Sequence, residues 1–131
     1  MGVMKQRGTL MSFYLFLIAA AICFLSAGVH GIWGRGVYLG FIGKTNLPIR
    51  EKTISAVTWD IFTIMLLVSG GCLGFVAFNA QAIWMAYPIM LINLLGAGVF
   101  FAMIATGRKE LIALPGAYLM SAIGVLTLLA V

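Results

Sequence analysis

Charged side chains are scarce in this chain of 131 residues: they make up 8% of it, against 63% for hydrophobic residues. A water-soluble domain carries about 25% charged residues. A fold of this size has too little interior to bury so much apolar side chain, which would otherwise cover the surface as large patches. The composition therefore excludes a soluble globular domain and predicts a protein that is surrounded by lipid.

Residues that carry chemistry are also few, since the sequence holds three acidic residues, one histidine and two cysteines. Cys23 and Cys72 both lie inside apolar runs, without a Cys or His at metal-ligand spacing, so we interpret them as small buried hydrophobes. The sequence has no Ser-His-Asp set, phosphate loop or dinucleotide fingerprint. We therefore predict no catalytic residues, no metal and no cofactor, and an enzyme is the less favoured interpretation.

Four apolar segments are long enough to cross a bilayer as helices, which takes about 20 residues. They lie near residues 10–33, 54–78, 84–106 and 111–131. Helices are predicted because lipid offers the backbone no other hydrogen-bond partner, and the runs are too continuous for the alternating pattern of a barrel. The predicted fold is all-α, an integral membrane four-helix bundle in a single domain over residues 1–131.

The segment 34–52 is the only long connection, and it mixes glycines and cations with apolar residues. We expect it to lie along the membrane interface as an amphipathic loop.

Basic residues concentrate in the first and third loops as Arg35, Lys44, Arg50, Lys52, Arg108 and Lys109. The positive-inside rule then places these two loops in the cytoplasm, although Lys5 and Arg7 before the first span favour the opposite orientation. The basic residues cluster between the apolar runs, as in loops that orient membrane helices. The net charge of +5 therefore does not require nucleic acid as a partner, and we predict none.

One acidic residue, Asp60, lies inside a predicted span. A carboxylate at the centre of a membrane helix costs about 2.5–3.5 kcal/mol on insertion scales, so it is expected to have a partner. In an antiparallel hairpin of the first two helices, His30 and Asp60 come to a similar depth, and we expect them to hydrogen-bond. Arg35 is within reach as a second partner, and Glu51 could join the cluster. The cluster is either a proton relay or a structural clamp between two helices.

Small and polar residues inside the spans predict where the helices touch. Gly70 and Gly74 form a Gly-x-x-x-Gly pair in the second span, and Gly96 and Gly98 place small residues on the third. Such residues let helix backbones approach closely, either within one bundle or between copies of the chain. Asn93 lies near the middle of the third span, and we expect it to hydrogen-bond to a hydroxyl on another helix.

Two motifs flank the first loop: Ala27-Gly28-Val29-His30-Gly31-Ile32-Trp33-Gly34-Arg35 and Thr58-Trp59-Asp60-Ile61-Phe62-Thr63. They resemble motifs of a family of small bacterial inner-membrane proteins with four spans and no known activity. In that family a His-Ser-x-x-Gly-Glu pattern ends the first helix and a Trp-His pair opens the second. The matching residues are His30, Gly34 and Trp59, and the departures are Gly31, Arg35 and Asp60. The resemblance covers about the first half of the chain and implies a bacterial inner membrane.

These residues predict a small transport component or an accessory subunit of a membrane complex. In the transport version, Asp60 is the protonatable site, His30 its partner and Arg35 the neighbouring charge. The alternative is a membrane-embedded enzyme or cofactor-binding protein that acts on a lipid or a quinone, with His30 as ligand or base. A bundle this small can hardly enclose a pathway alone, so transport implies a homo-oligomer or a larger membrane complex with the glycines at the contact.

Overall fold

The fold was described from a computed structural model, which covers the backbone of residues 2–131 and the side chains of residues 9–131. Its α-helices are α1 (Gly2–Gly28), α2 (Arg35–Gly43), α3 (Ile49–Phe78), α4 (Ala86–Ala105) and α5 (Gly116–Ala130). A π-helical segment, Val29–Gly34, joins α1 to α2, and 3-10 turns at Ala80–Met85 and Lys109–Ala113 precede α4 and α5. The all-α prediction is confirmed, since residues 2–131 contain no strand.

Three helical stretches are long and apolar enough to cross a membrane: Thr9–Gly43, Ile49–Phe78 and Ala80–Ala105, of 35, 30 and 26 residues. The fourth, α5, is shorter at 15 residues. At 1.5 Å per residue it spans about 22 Å, less than the ~30 Å of a hydrocarbon core. The predicted span 111–131 begins late because Leu114 precedes Pro115 and is extended, as a residue before proline prefers to be.

The connection between the first two long helices is itself mostly helical, which corrects the loop expected over 34–52. The chain passes from α1 through the π-helical segment into α2, and only residues 44–48 lie outside helix before α3 begins. Lys52 Nζ closes this hairpin by donating to the backbone oxygen of Gly43 at 3.0 Å. Each glycine in α2 disfavours a helix by about 1 kcal/mol relative to alanine, and this favoured a loop. The stacking of Tyr38 on Trp59 of α3 nevertheless holds α2 in place as a helix.

The helices pack side by side in the order α3, α1, α5, α4, so that α1 lies between α3 and α5. Away from their connecting turn, α4 and α3 have little contact. The arrangement is therefore an open row of helices rather than a closed ring of four. Small and aliphatic side chains fill the contacts, among them Ala19, Ala20, Cys23, Leu73, Val76, Ala117 and Ile123. Small residues at these positions allow the close approach of helix backbones.

Candidate functional site

The π-helical segment and the first half of α3 approach each other closely at two glycines. A Cβ atom added at Gly31 would lie 2.7 Å from Thr63 Cγ2, and one added at Gly34 would lie 3.1 Å from Trp59 Cζ2. A larger side chain at either position would push the helices apart. A π-helical turn inserts one extra residue into a helix and is frequent at functional sites. Together with the glycines, it places His30 against α3.

Trp59 is the centre of an aromatic cluster at this contact. Its indole Nε1–H donates to the backbone oxygen of His30 at 2.9 Å. The rings of His30 and Tyr38 both stack on Trp59, at centroid distances of 3.9 and 4.3 Å and interplanar angles of 9° and 16°. Phe62 meets the His30 ring edge-on at 5.1 Å. Since each aromatic pair adds about 0.5–1.5 kcal/mol beyond the area it buries, the cluster fixes the orientation of His30.

The ring of His30 is hydrogen-bonded to Thr63. Its Nδ1 lies 2.9 Å from Thr63 Oγ1, and the Thr63 hydroxyl donates to the backbone oxygen of Trp59 at 3.1 Å, one turn earlier in α3. This arrangement corrects the expected hydrogen bond between His30 and Asp60. Sequence patterns do not single out Thr63 as the partner of His30, because a threonine in an apolar helix usually bonds only to its own backbone.

Asp60 is bound by Arg35 through two parallel hydrogen bonds. Arg35 Nε donates to Asp60 Oδ1 at 2.7 Å, and Arg35 Nη2 donates to Oδ2 at 3.1 Å. The two side chains are 47% and 44% exposed, so the ion pair faces outward rather than into the helix contact. A two-point bond between guanidinium and carboxylate fixes the geometry of both groups. The expected partnership of Arg35 and Asp60 is therefore present, and it ties the start of α2 to α3.

Glu51 lies apart from this cluster, contrary to the expectation that it could join it. It is exposed in the first turn of α3, nine residues before Asp60, which corresponds to about 13 Å along the helix. Among residues 9–131, neither the hydrogen bonds nor the ion pair of the cluster involves Glu51. A carboxylate in the first turn of a helix interacts favourably with the helix dipole. This local role accounts for its position.

The Gly-x-x-x-Gly pair of α3 packs against α1 of the same chain. A Cβ atom at Gly70 would lie 3.1 Å from the ring of Phe24 and 3.2 Å from Cys23 Cβ. Gly74 is in looser contact, since a Cβ atom added there would lie 4.0 Å from Ala20 Cβ. Both glycines therefore serve a contact within the bundle.

The two glycines of α4 differ from each other. Gly96 faces the end of the Met120 side chain on α5, where a Cβ atom would clash, whereas Gly98 is exposed and a Cβ atom there would meet nothing within 4 Å. Gly98 thus lies outside the helix contact for which it was predicted. The closer contact was missed: a Cβ atom at Gly124 of α5 would lie 2.7 Å from Leu94 Cδ2 and 3.2 Å from the Leu94 backbone nitrogen.

Asn93 is buried, as its position in the third span suggested, but its partner is on its own helix. The side-chain amide donates to the backbone oxygen of Ile89 at 2.9 Å. This corrects the expected bond to another helix. A backbone carbonyl four residues earlier is always within reach of an amide side chain, whereas a partner on another helix depends on how the helices are rotated.

A groove of about 770 Å³ opens beside the aromatic cluster. Its walls are the end of α1, the π-helical segment, α2, the part of α3 from Trp59 to Leu66, and residues 114–123, which include the first half of α5. The lining is apolar apart from five side chains that carry a polar group, which are Ser26, His30, Trp33, Tyr38 and Trp59. Arg35 and Asp60 do not line it. Pockets of about 300–1,000 Å³ with few polar groups are the usual sites for small organic ligands.

In the described residues, no group of three or more His, Cys, Asp or Glu side chains comes together that could hold a metal ion. Comparisons of the chain with models of known protein families, with curated proteins and with solved structures found no match. The groove and the His30 cluster are therefore the features from which a function can be inferred.

Proposed function

We propose that this chain is a multi-pass protein of a bacterial inner membrane that holds the apolar chain of a lipid-like molecule in its groove, as an accessory subunit of a membrane complex. Three long apolar helices support the membrane location. So do apolar side chains on the outside of the bundle: Ile32, Leu95 and Phe78 are 83%, 68% and 72% exposed. Exposing such apolar surface to water costs about 25 cal/mol per Å² of free energy, whereas exposing it to lipid does not.

The extent of the groove is the observation that carries the proposal. Its lining residues run from Trp59 to Leu66 on α3, from Gly116 to Ile123 on α5, and from Leu25 to Phe41 along α1, the π-helical segment and α2. At 1.5 Å per residue the stretches on α3 and α5 measure about 11 Å each, less than half of a ~30 Å hydrocarbon core, and the stretch from Leu25 to Phe41 measures about 24 Å. A groove whose walls on α3 and α5 are this short fits a single lipid or isoprenoid chain. A partner helix would need a groove along the whole span.

The rest of the helix contact is closed, which confines the ligand to one end of the bundle. Cys23 of α1 and Leu73 and Val76 of α3 are 0%, 0% and 1% exposed. The groove lies beside the middle of α3 and the first half of α5, nearer than Val76 to the first and third loops. Because basic residues concentrate in those loops, we propose that the groove opens into the cytoplasmic leaflet.

Transport of a proton or small solute, the other function expected from the polar residues, has less support from the geometry. A relay needs a carboxyl group that gains and loses a proton along a path through the protein. The Asp60 carboxylate is instead bound at both oxygens by Arg35, and the ion pair faces outward. We propose that this pair acts as a clamp between α2 and α3 that keeps the wall of the groove in place.

Native mass spectrometry of the protein released from mild detergent tests for a bound apolar molecule. We expect one on the unmodified protein, and we expect Leu119→Trp, which fills the groove from α5, to weaken binding by about tenfold because overpacking costs about 1–3 kcal/mol. Leu95→Trp is the matched control, since Leu95 is exposed on α4 away from the groove. Equal occupancy in the three proteins, or none in any, would rule out the groove as a binding site.

A further inference from the structure

We infer that the groove selects a long-chain molecule with an uncharged hydroxyl headgroup, and that this hydroxyl donates a hydrogen bond to Nε2 of His30. This inference rests on the proposed function, because it assigns the headgroup of the molecule whose apolar chain occupies the groove. It depends on three features of the site: the tautomer of His30, the lack of a partner for Nε2, and the absence of charge in the lining.

The hydrogen bonds around Thr63 favour one tautomer of His30. A hydroxyl group has one proton to donate, and that of Thr63 is directed to the backbone oxygen of Trp59 at 3.1 Å. The oxygen of Thr63 must then accept from Nδ1–H of His30, at 2.9 Å. A neutral imidazole carries one N–H, so Nε2 bears a lone pair. Proteins fix the ligand-binding nitrogen of a histidine in the same way, by bonding the other nitrogen to an acceptor.

Nε2 of His30 has no partner among residues 9–131. Within residues 9–131, the hydrogen bond of the His30 ring is the one from Nδ1 to Thr63. The ring is half-buried and lines the groove, with the aromatic rings of Trp59 and Phe62 beside it. No fully buried side-chain nitrogen or oxygen of residues 9–131 lacks a partner, so Nε2 keeps accessible surface. Where that surface meets lipid instead of water, the unpaired acceptor costs about 1–3 kcal/mol. A ligand that brings a donor to this atom recovers that cost.

The remaining polar groups of the groove are all neutral. Ser26 and Tyr38 contribute hydroxyls and Trp33 an indole N–H, and the N–H of Trp59 is already used by the backbone oxygen of His30. The nearby charges, Arg35 and Asp60, neutralise each other outside the lining. A phosphate or carboxylate headgroup would therefore lose its hydration without gaining a counter-charge. An alcohol or a phenol, as in a long-chain alcohol or a quinol, fits the site.

The tautomer can be measured directly, because the chain contains a single histidine. Protein labelled with ¹⁵N-histidine and placed in lipid nanodiscs gives one pair of ring-nitrogen NMR signals. We expect a protonated Nδ1 and an unprotonated Nε2. Added hexadecanol should shift the Nε2 signal in the direction of hydrogen bonding, and hexadecyl methyl ether, which has no O–H, should not. A protonated Nε2 in the ligand-free protein would overturn the inference.

Affinities provide the second test, with tryptophan fluorescence as the probe in a Trp84→Phe background, which keeps Trp33 and Trp59, the two tryptophans that line the groove. Hexadecanol should bind about fivefold more tightly than its methyl ether, the effect of one hydrogen bond of about 1 kcal/mol. His30→Phe keeps a ring that stacks on Trp59 but lacks the acceptor, so the two affinities should become equal. Thr63→Val removes the acceptor that fixes Nδ1–H and should also reduce the preference.

The outcomes separate this inference from the proposed function. If alcohol and ether bind the unmodified protein equally and Leu119→Trp weakens both, the groove binds lipid but His30 does not select a hydroxyl. If hexadecanoate binds more tightly than hexadecanol, a positively charged group of the protein recognises the headgroup and the inference is wrong. If neither molecule binds, or a second copy of the chain occupies the groove, the proposed function itself fails.

Discussion

Trp59 holds His30 by two kinds of contact at once. Its N–H donates to the backbone oxygen of His30, and its ring supports the imidazole face. That backbone oxygen also accepts the N–H of Arg35, five residues on, as the π-helical turn requires. One indole therefore stabilises both the ring of His30 and the irregular backbone that presents it.

Replacing Trp59 by Phe should lower the free energy of unfolding by about 1–2 kcal/mol, because a hydrogen bond is lost and two stacked pairs are weakened. Unfolding by sodium dodecyl sulfate, followed by circular dichroism, measures this change. Trp84→Phe is the control, since Trp84 is 67% exposed. Similar losses in the two variants would show that the cluster around Trp59 does not stabilise the contact of α1 with α3.

Part of this site could be predicted from the sequence. Asp60 stands out because a carboxylate in an apolar run needs a partner, and Arg35 is the cation nearest to it across the hairpin. The bond from His30 to Thr63 could not be predicted, because it depends on how the π-helical turn rotates His30 relative to α3. A change of one residue in helix register moves a side chain by about 100° around the axis.

The contact between α4 and α5 depends on residues without side chains. Gly124 of α5 faces the backbone of Leu94, whereas Gly98 of α4 faces outward. A methyl group at Gly124 would require the two helices to separate, since a backbone atom cannot rotate away as a side chain can. The same methyl group at Gly98 has open space.

Gly124→Ala should therefore destabilise the protein by about 1–3 kcal/mol, the usual cost of overpacking. Gly98→Ala should be neutral or stabilising by up to about 1 kcal/mol, because alanine favours helix over glycine. Both changes add one methyl group to a helical glycine, so they form a matched pair for thermal unfolding in detergent. A destabilised Gly98→Ala together with an unaffected Gly124→Ala would contradict the packing described here.

Hydropathy predicted the helices well but not the connection between the first two. Long apolar runs have only one way to satisfy their backbone in lipid, so their helical structure follows from composition. The segment 34–52 is ambiguous, since its glycines favour a loop and its apolar residues favour packing. Tyr38 decides the outcome by stacking on Trp59, a contact 21 residues away along the chain that local sequence patterns cannot reveal.

For the whole molecule, the row of helices and the short α5 together explain why a groove exists. Both α3 and α5 contact α1, but α5 begins only at Gly116, beside the groove. The helix order could not be read from the sequence, because all the helices are apolar on most sides and no stripe marks the partner of each. The exposed apolar surface of the row supports a lipid environment on both faces.

We predict the orientation in the membrane from the charges of the loops. The first and third loops carry lysines and arginines, whereas residues 79–81, between α3 and α4, are uncharged. With the native cysteines removed as Cys23→Ala and Cys72→Ala, single cysteines at Asn46→Cys and Gln81→Cys report each side, since both positions are exposed. A membrane-impermeant maleimide should label Gln81→Cys in spheroplasts and should label Asn46→Cys only after lysis, because positive loops stay in the cytoplasm.

Labelling both proteins after lysis controls for the reactivity of each site. Labelling of Asn46→Cys in intact spheroplasts would invert the orientation, and the groove would then open into the outer leaflet instead of the inner one. Equal labelling of both positions before lysis, in spheroplasts shown to be sealed, would contradict a chain that crosses the bilayer between them. Because the groove meets α3 in the half of the predicted span 54–78 that is nearer the first loop, its leaflet follows from the side on which residue 46 is found.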